Sequence, residues 1–209
     1  MRRFFEQLKT QRWDDHRYYH HSRANQALHL VSAVSFLGAY VTAFRDPASA
    51  SLIGWLVAMS SRQAGHLFFE PKGYDVVNQA THEHKEEIKV GYNLRRKLVL
   101  LTIWALSPLL LVVDPSLLGM VVPAESLGGT LRHIGYIWLT LAVAGLLFRT
   151  LQLFVMRDVE TGVVWAVKIL TDPFHDIKLY HRAPAHLLQD AMASRPVLAM
   201  RAAAGRRRR

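Results

Sequence analysis

Ile134–Met156 is the stretch that most limits what this chain can become: it is apolar throughout and its one charged side chain is Arg149. A helix rising ~1.5 Å per residue over such a stretch crosses a ~30 Å hydrocarbon core. In lipid every backbone N–H and C=O must be satisfied within the protein, so the segment is helical if it enters a bilayer, with Arg149 snorkelling or paired inward. Three further apolar stretches follow the same logic. We therefore expect an all-α, multi-pass membrane protein with about four transmembrane helices, near 27–45, 51–70, 98–113 and 134–156. The chain divides accordingly into a basic and aromatic segment 1–26, a membrane domain 27–156 with a polar loop 71–97, and a tail 157–209. The tail reads as an amphipathic helix, a His-bearing segment and a basic end.

Local signals refine this outline. Met1–Gln26 lacks the short apolar core and small-residue cleavage site of a signal peptide. Ser22 can cap a helix running from Arg23 into Leu30–Phe44. Arg45-Asp46-Pro47-Ala48-Ser49 reads as a turn. The second span is interrupted by Ser60-Ser61-Arg62-Gln63 and stopped by Pro71, whereas Pro108 is a tolerated kink in the third, which ends at Asp114-Pro115. Within 71–97, Lys85, Glu86 and Lys89 predict a solvated, salt-bridged helix. In the tail, Asp172-Pro173 has the form of an N-cap followed by Pro at the first helical position, and predicts a short helix carrying His175, Asp176, Tyr180 and His181.

Composition narrows the function. The chain is 51% hydrophobic yet has 26 Lys+Arg against 16 Asp+Glu, a net charge of +10. Six Lys or Arg fall in residues 1–26, six in 71–97 and ten in 157–209, against one each in 45–50 and 115–132. The positive-inside rule then puts both termini and the middle loop in the cytosol, with the chain integral to a bacterial inner membrane, or to the endoplasmic reticulum in a eukaryote. The Arg206–Arg209 run suits lipid headgroups; no nucleic-acid module accompanies it, so no nucleic-acid partner is expected. There is no Cys, which excludes thiolate metal sites and disulfides and leaves eleven His and the carboxylates as metal ligands. The charge asymmetry places His20, His21, His29, His66, His82, His84, His175 and His181 at one membrane face. One shared site there explains them better than several isolated histidines.

The polar end of the second span concentrates this chemistry. In a helix, Arg62, His66 and Glu70 lie four apart and share one face. A His and a carboxylate so placed can reach one metal ion, or can form an ordinary interfacial pair that ends the helix. Asn25 and His29 are likewise four apart at the start of the first span. Spacing and sidedness extend the candidate site to His84 from the middle loop and to His175 or His181 from the tail.

Tyr19-His20-His21-Ser22-Arg23-Ala24-Asn25-Gln26-Ala27-Leu28-His29 and Gly65-His66-Leu67-Phe68-Phe69-Glu70 resemble the two signatures of the 2-hydroxy-fatty-acid dioxygenase family, which acts in fatty-acid α-oxidation. The resemblance covers about the first seventy residues, and His175-Asp176 has no counterpart in it. It implies a membrane-embedded, iron(II)-dependent enzyme that uses O₂ to shorten a 2-hydroxy fatty acid by one carbon. It also implies His20, His29, His66 and Glu70 as metal-site residues with Asn25 nearby, while Arg62 or Arg23 is placed to meet the carboxylate of a lipid substrate. Two other classes stay open. A di-iron membrane hydroxylase or desaturase also uses many His, but no HxxHH box is present. A non-enzymatic haem carrier or scaffold needs no more than interfacial histidines.

Overall fold

The protein is described by a computed structural model over residues 2–70, 73–88 and 94–193, so the Arg206–Arg209 run, Lys89 and the His82 and Glu86 side chains lie outside the described residues. The described residues are all-helical, with an isolated bridge between Asp75 and Ala80. The elements are α1 (Arg2–Tyr19), α2 (Arg23–Ala43), α3 (Pro47–Ile53), α4 (Ser60–Phe68), α5 (His82–Ile88), α6 (Leu94–Leu106), α7 (Leu110–Val113), α8 (Leu127–Met156), α9 (Val159–Tyr180) and α10 (183–193).

The four expected spans correspond to helices, with shifted ends. α2 starts after Ser22, as its cap position predicts, yet the Ser22 side chain makes no capping bond. The corner is closed from inside the helix instead: Asn25 Nδ2 donates to the Tyr19 carbonyl at 2.7 Å and Gln26 Nε2 to that of His20 at 2.8 Å. The turn expected at 45–49 is shorter: the chain turns at Phe44–Asp46, where the Arg45 and Asp46 amides donate to the Thr42 carbonyl, and a helix starts at Pro47. Asp46 accepts from the Ser49 amide at 3.2 Å and Pro47 occupies the first turn, the pairing that favours an N-terminus. From there α3 and α4 run on without a break through a π-helical turn, Gly54–Met59. α6 reaches α7 through a 3₁₀ turn, Ser107–Leu109, that accommodates Pro108. α8 begins before Ile134 because Ser126 caps it, accepting from the Gly129 amide at 3.2 Å.

The tail differs most from expectation. Asp158 caps α9, accepting from the Thr161 amide, and α9 then passes straight through Asp172-Pro173. Asp172 is an ion-pair partner rather than a cap: Lys168 Nζ reaches it at 2.8 Å and also pairs with Asp15, while Arg12 Nε approaches Asp172 at 3.2 Å. Burial alone would lower the Lys168 ammonium, but the Asp15 and Asp172 carboxylates raise it above its ordinary value. These buried pairs bind α9 to α1. Lys85 is also corrected, being 1% exposed rather than solvated, because its ammonium lies 3.1 Å from the buried Asp75 carboxylate and Tyr19 Oη donates to its carbonyl.

Helix contacts are made by small residues. Ala33, Ala39, Ala48, Ala50 and Ala58 are buried, and a Cβ on Gly135 would fall 2.5 Å from the Ala48 carbonyl oxygen, so α3 and α8 touch backbone to backbone. Close approach through small residues is how helices pack in lipid, where Leu gains nothing by leaving its surroundings. α2 and α8 are long and apolar enough to cross a membrane, and only 6% of the α8 window is buried inside the protein. A core helix of that length hides most of its surface; α8 instead turns Val143, Leu147, Phe148, Leu151 and Val155 outward. Trp55, Trp104 and Trp138 stack at 4.9 and 5.0 Å and tie the π-helical turn to α6 and α8.

Candidate metal centre

Three helix ends converge on one point. His20 follows the last residue of α1, His29 lies in the second turn of α2, and His66 in the last turn of α4. One ligand nitrogen from each lies within 4.8 Å of the others, and the ring centroids are 3.9 Å (His20–His29), 4.9 Å (His29–His66) and 5.3 Å (His20–His66) apart. Nitrogens bound at ~2.0–2.1 Å to one ion stand roughly 3.0–3.4 Å apart, so inward shifts of about an ångström bring the three onto a single ion. His29 and His20 are buried and His66 nearly so.

Two of the rings are hydrogen-bonded through Nδ1, and the third, His29, faces a carboxylate there just beyond hydrogen-bond range. His66 Nδ1 lies 2.7 Å from Glu70 Oε2, His20 Nδ1 lies 2.8 Å from the Tyr180 hydroxyl, and His29 Nδ1 lies 3.6 Å from Asp176 Oδ2. With Nδ1 so engaged in His20 and His66, Nε2 is the nitrogen that those two imidazoles offer to an ion. A carboxylate or hydroxyl behind a ligating imidazole fixes its tautomer and orientation and strengthens it as a donor, which is the usual support of a His metal site. The residues present therefore fit a divalent ion held by three imidazoles.

Asp176 and Tyr180 are the residues that sequence reasoning left without a role. Both lie on α9, whose Asp172, Asp176 and Tyr180 recur every four residues and form one buried polar face. That recurrence was the available signal. It was obscured because Asp172-Pro173 read as a helix start, which detached these residues from the long helix that carries them to α2.

The expected site residues separate as follows. His20, His29 and His66 come together. Glu70 stands behind His66 rather than beside it, with its carboxylate on the far ring nitrogen. Asn25 is fully buried and donates to the Tyr19 carbonyl, so it holds the turn that presents His20. Gly65 makes room for it: a Cβ there would lie 2.2 Å from Asn25 Oδ1 and 3.5 Å from the His29 ring. Arg62 is salt-bridged to Asp176, with Nη2 2.5 Å from Oδ2. His84 and His175 lie outside the group. His84 is exposed, with its ring 6.2 Å from that of Tyr18. His175 precedes Asp176 by one position, about 100° around α9, and faces a groove of about 400 Å³ with Arg12, Trp13 and His16. His181 Nδ1 bonds locally, to the Lys178 carbonyl at 3.0 Å.

No known protein family, no curated protein and no solved structure matches the chain.

Proposed function

We propose that this chain is a membrane-embedded oxygenase that holds iron(II) on His20, His29 and His66 and uses O₂ on a fatty acid, the simplest substrate being a 2-hydroxy fatty acid cleaved to the acid one carbon shorter. The observation that carries the reading is the group of three imidazoles at the polar end of an apolar helix, two of them hydrogen-bonded on Nδ1 and the third beside the Asp176 carboxylate. Three neutral ligands leave an ion's charge uncompensated within the set and leave positions open for other ligands, an arrangement suited to activating O₂ beside an anionic chelate. A carboxylate with an adjacent hydroxyl offers that chelate. Arg62 has guanidinium donors beyond the one given to Asp176, and they can take the substrate carboxylate. Burial of His20 and His29 keeps water from the reacting centre. The resemblance of the His20–His29 and Gly65–Glu70 segments to the dioxygenase family supports the same substrate class.

The membrane reading belongs to this proposal. α2 and α8 cross the bilayer with α6 and α7 and the α3–α4 run beside them, and the Lys and Arg distribution keeps both termini in the cytosol. An acyl chain then lies among the apolar helices while its head meets the three histidines.

Elemental analysis of purified protein should find iron, and O₂ should be consumed on addition of a 2-hydroxy fatty acid. His66→Ala should lose both while the helical circular dichroism persists, since an imidazole at a helix end contributes little to the packing. Full iron and turnover in His66→Ala would overturn the site. Zinc in place of iron, without O₂ uptake, would move the three-imidazole set to hydrolytic chemistry. A Soret band would mean haem instead.

A further inference from the structure

Tyr180 offers a single buried hydroxyl to two imidazoles at once. His16 Nδ1 lies 3.0 Å from it and His20 Nδ1 lies 2.8 Å from it. The two histidines are four residues apart at the end of α1, so their rings rise on one face and meet the phenol brought across by α9. A phenol has one proton to donate, so at most one of the two nitrogens can accept from it; the arrangement that uses the hydroxyl proton between these two rings has one imidazole donating to the phenol oxygen and the other accepting from it.

We infer that Tyr180 is the positioning residue for His20 and the middle member of a directional hydrogen-bonded chain that ends at His16, an inference that rests on the metal reading above. An ion on His20 Nε2 needs the lone pair there, which puts the ring proton on Nδ1. His20 Nδ1–H then donates to Tyr180 Oη, and the Tyr180 hydroxyl donates to His16 Nδ1. His16 in turn carries its proton on Nε2, on the side of the groove lined by Arg12, Trp13 and His175. The surroundings agree with these roles. Burial lowers His16 below its ordinary value, with His21 and His175 acting in the same direction and Asp176 against them, so it stays a neutral acceptor. Occupancy of the metal site is thereby coupled to the tautomer of a histidine that lies outside the group.

The test uses the full-length protein in its wild-type, Tyr180→Phe and His16→Ala forms, with ¹⁵N-labelled histidine and with zinc or iron(II) alone as the probe. In metal-free wild type, His16 and His20 should carry their protons on opposite nitrogens, and Tyr180→Phe should abolish that correlation. The same tautomer on both rings, or spectra unchanged by Tyr180→Phe, would overturn the chain. Zinc loading should set His20 to the Nδ1–H form. In competition with a chelator, Tyr180→Phe should bind zinc ~10–100-fold more weakly, as removal of a supporting hydrogen bond does, with its thermal midpoint close to wild type. Equal affinity would overturn the positioning role. Should Tyr180→Phe not fold, His16→Ala decides: freed of its acceptor, the hydroxyl can turn its proton towards His20 Nδ1, so zinc affinity should fall, and unchanged affinity would remove His16 from the chain. A wild-type protein that binds neither ion sinks the metal reading instead, and the metal-free spectra still settle the chain.

Discussion

Glu70 lies one turn beyond His66, and the i, i+4 spacing that allows both side chains to reach one ion equally allows the carboxylate to bond the imidazole. In this protein it does the second, at 2.7 Å. Glu70→Ala should therefore lower metal affinity by ~10–100-fold rather than abolish binding, in contrast to His66→Ala; chelator competition on the two variants measures the difference. Gly65, in the same short segment, has a steric role. Its missing Cβ leaves room for Asn25 Oδ1, and Asn25 has no slack because its amide holds the Tyr19 carbonyl. Gly65→Ala should cost about 1–3 kcal/mol of stability by overpacking and should displace His29, readable as a lowered denaturation midpoint together with weakened metal binding. Asn25→Ala combined with Gly65→Ala should recover part of the packing loss.

At the scale of elements, the same dipeptide behaves in three ways. Asp46-Pro47 starts α3, Asp114-Pro115 opens a turn in which Asp114 accepts from the amides of Ser116 and Leu118, and Asp172-Pro173 sits inside α9. A proline within a helix forgoes one hydrogen bond and crowds the preceding turn, typically ~3 kcal/mol, so α9 persists because its neighbours hold it. The buried Lys168, Asp15, Asp172 and Arg12 interactions clamp it to α1, and α2 and α8 cover its other sides. The 73–88 segment is clamped in a similar manner around Asp75. Burial would raise the Asp75 carboxyl, but hydrogen bonds from Asn78 and Lys85 and the Lys85 charge hold it well below the usual carboxylate range. A depressed carboxyl contributes stability above its unfolded value near 3.8, and that contribution is lost as pH falls through the folded value. Hydrogen-exchange protection at the Val77 and Asn78 amides, which donate to Asp75, should thus be flat at neutral pH and decline below about pH 4. Asp75→Asn should remove the acid-dependent part of this loss.

At the scale of the molecule, a long outward-facing apolar α8, helix contacts made through alanine and glycine, and a buried cluster of imidazoles near one end of α2 are the features on which the proposed membrane topology rests. The expected outcome is that the chain partitions with membranes and resists alkaline carbonate extraction, and that a reporter fused after Arg209 reads as cytosolic. An exported reporter, or a chain released by carbonate, would reject the topology. Since His20, His29 and His66 are already within reach of one ion, the metal site should also form in detergent, without any lipid-driven rearrangement.

The four apolar helices were legible from the sequence, because the runs at 27–45, 51–70, 98–113 and 134–156 are long and predominantly apolar. His20, His29 and His66 were legible too, through motif spacing and the sidedness of charge. Three matters needed the tertiary structure. Sequence spacing cannot say whether Glu70, two residues past the end of α4, reaches an ion or the ring beside it, since both geometries satisfy i, i+4, and only the position of the other two imidazoles decides. Local signals cannot say whether Asp172-Pro173 begins a helix, because the energy that keeps α9 continuous comes from Lys168, Arg12 and Asp15, two of them on a helix 160 residues away in sequence. And Tyr180 could not be matched to His20 in advance: a hydrogen bond across that separation exists only once α1 and α9 are packed, so its specification lies in the helix–helix interface and not in any local run of residues.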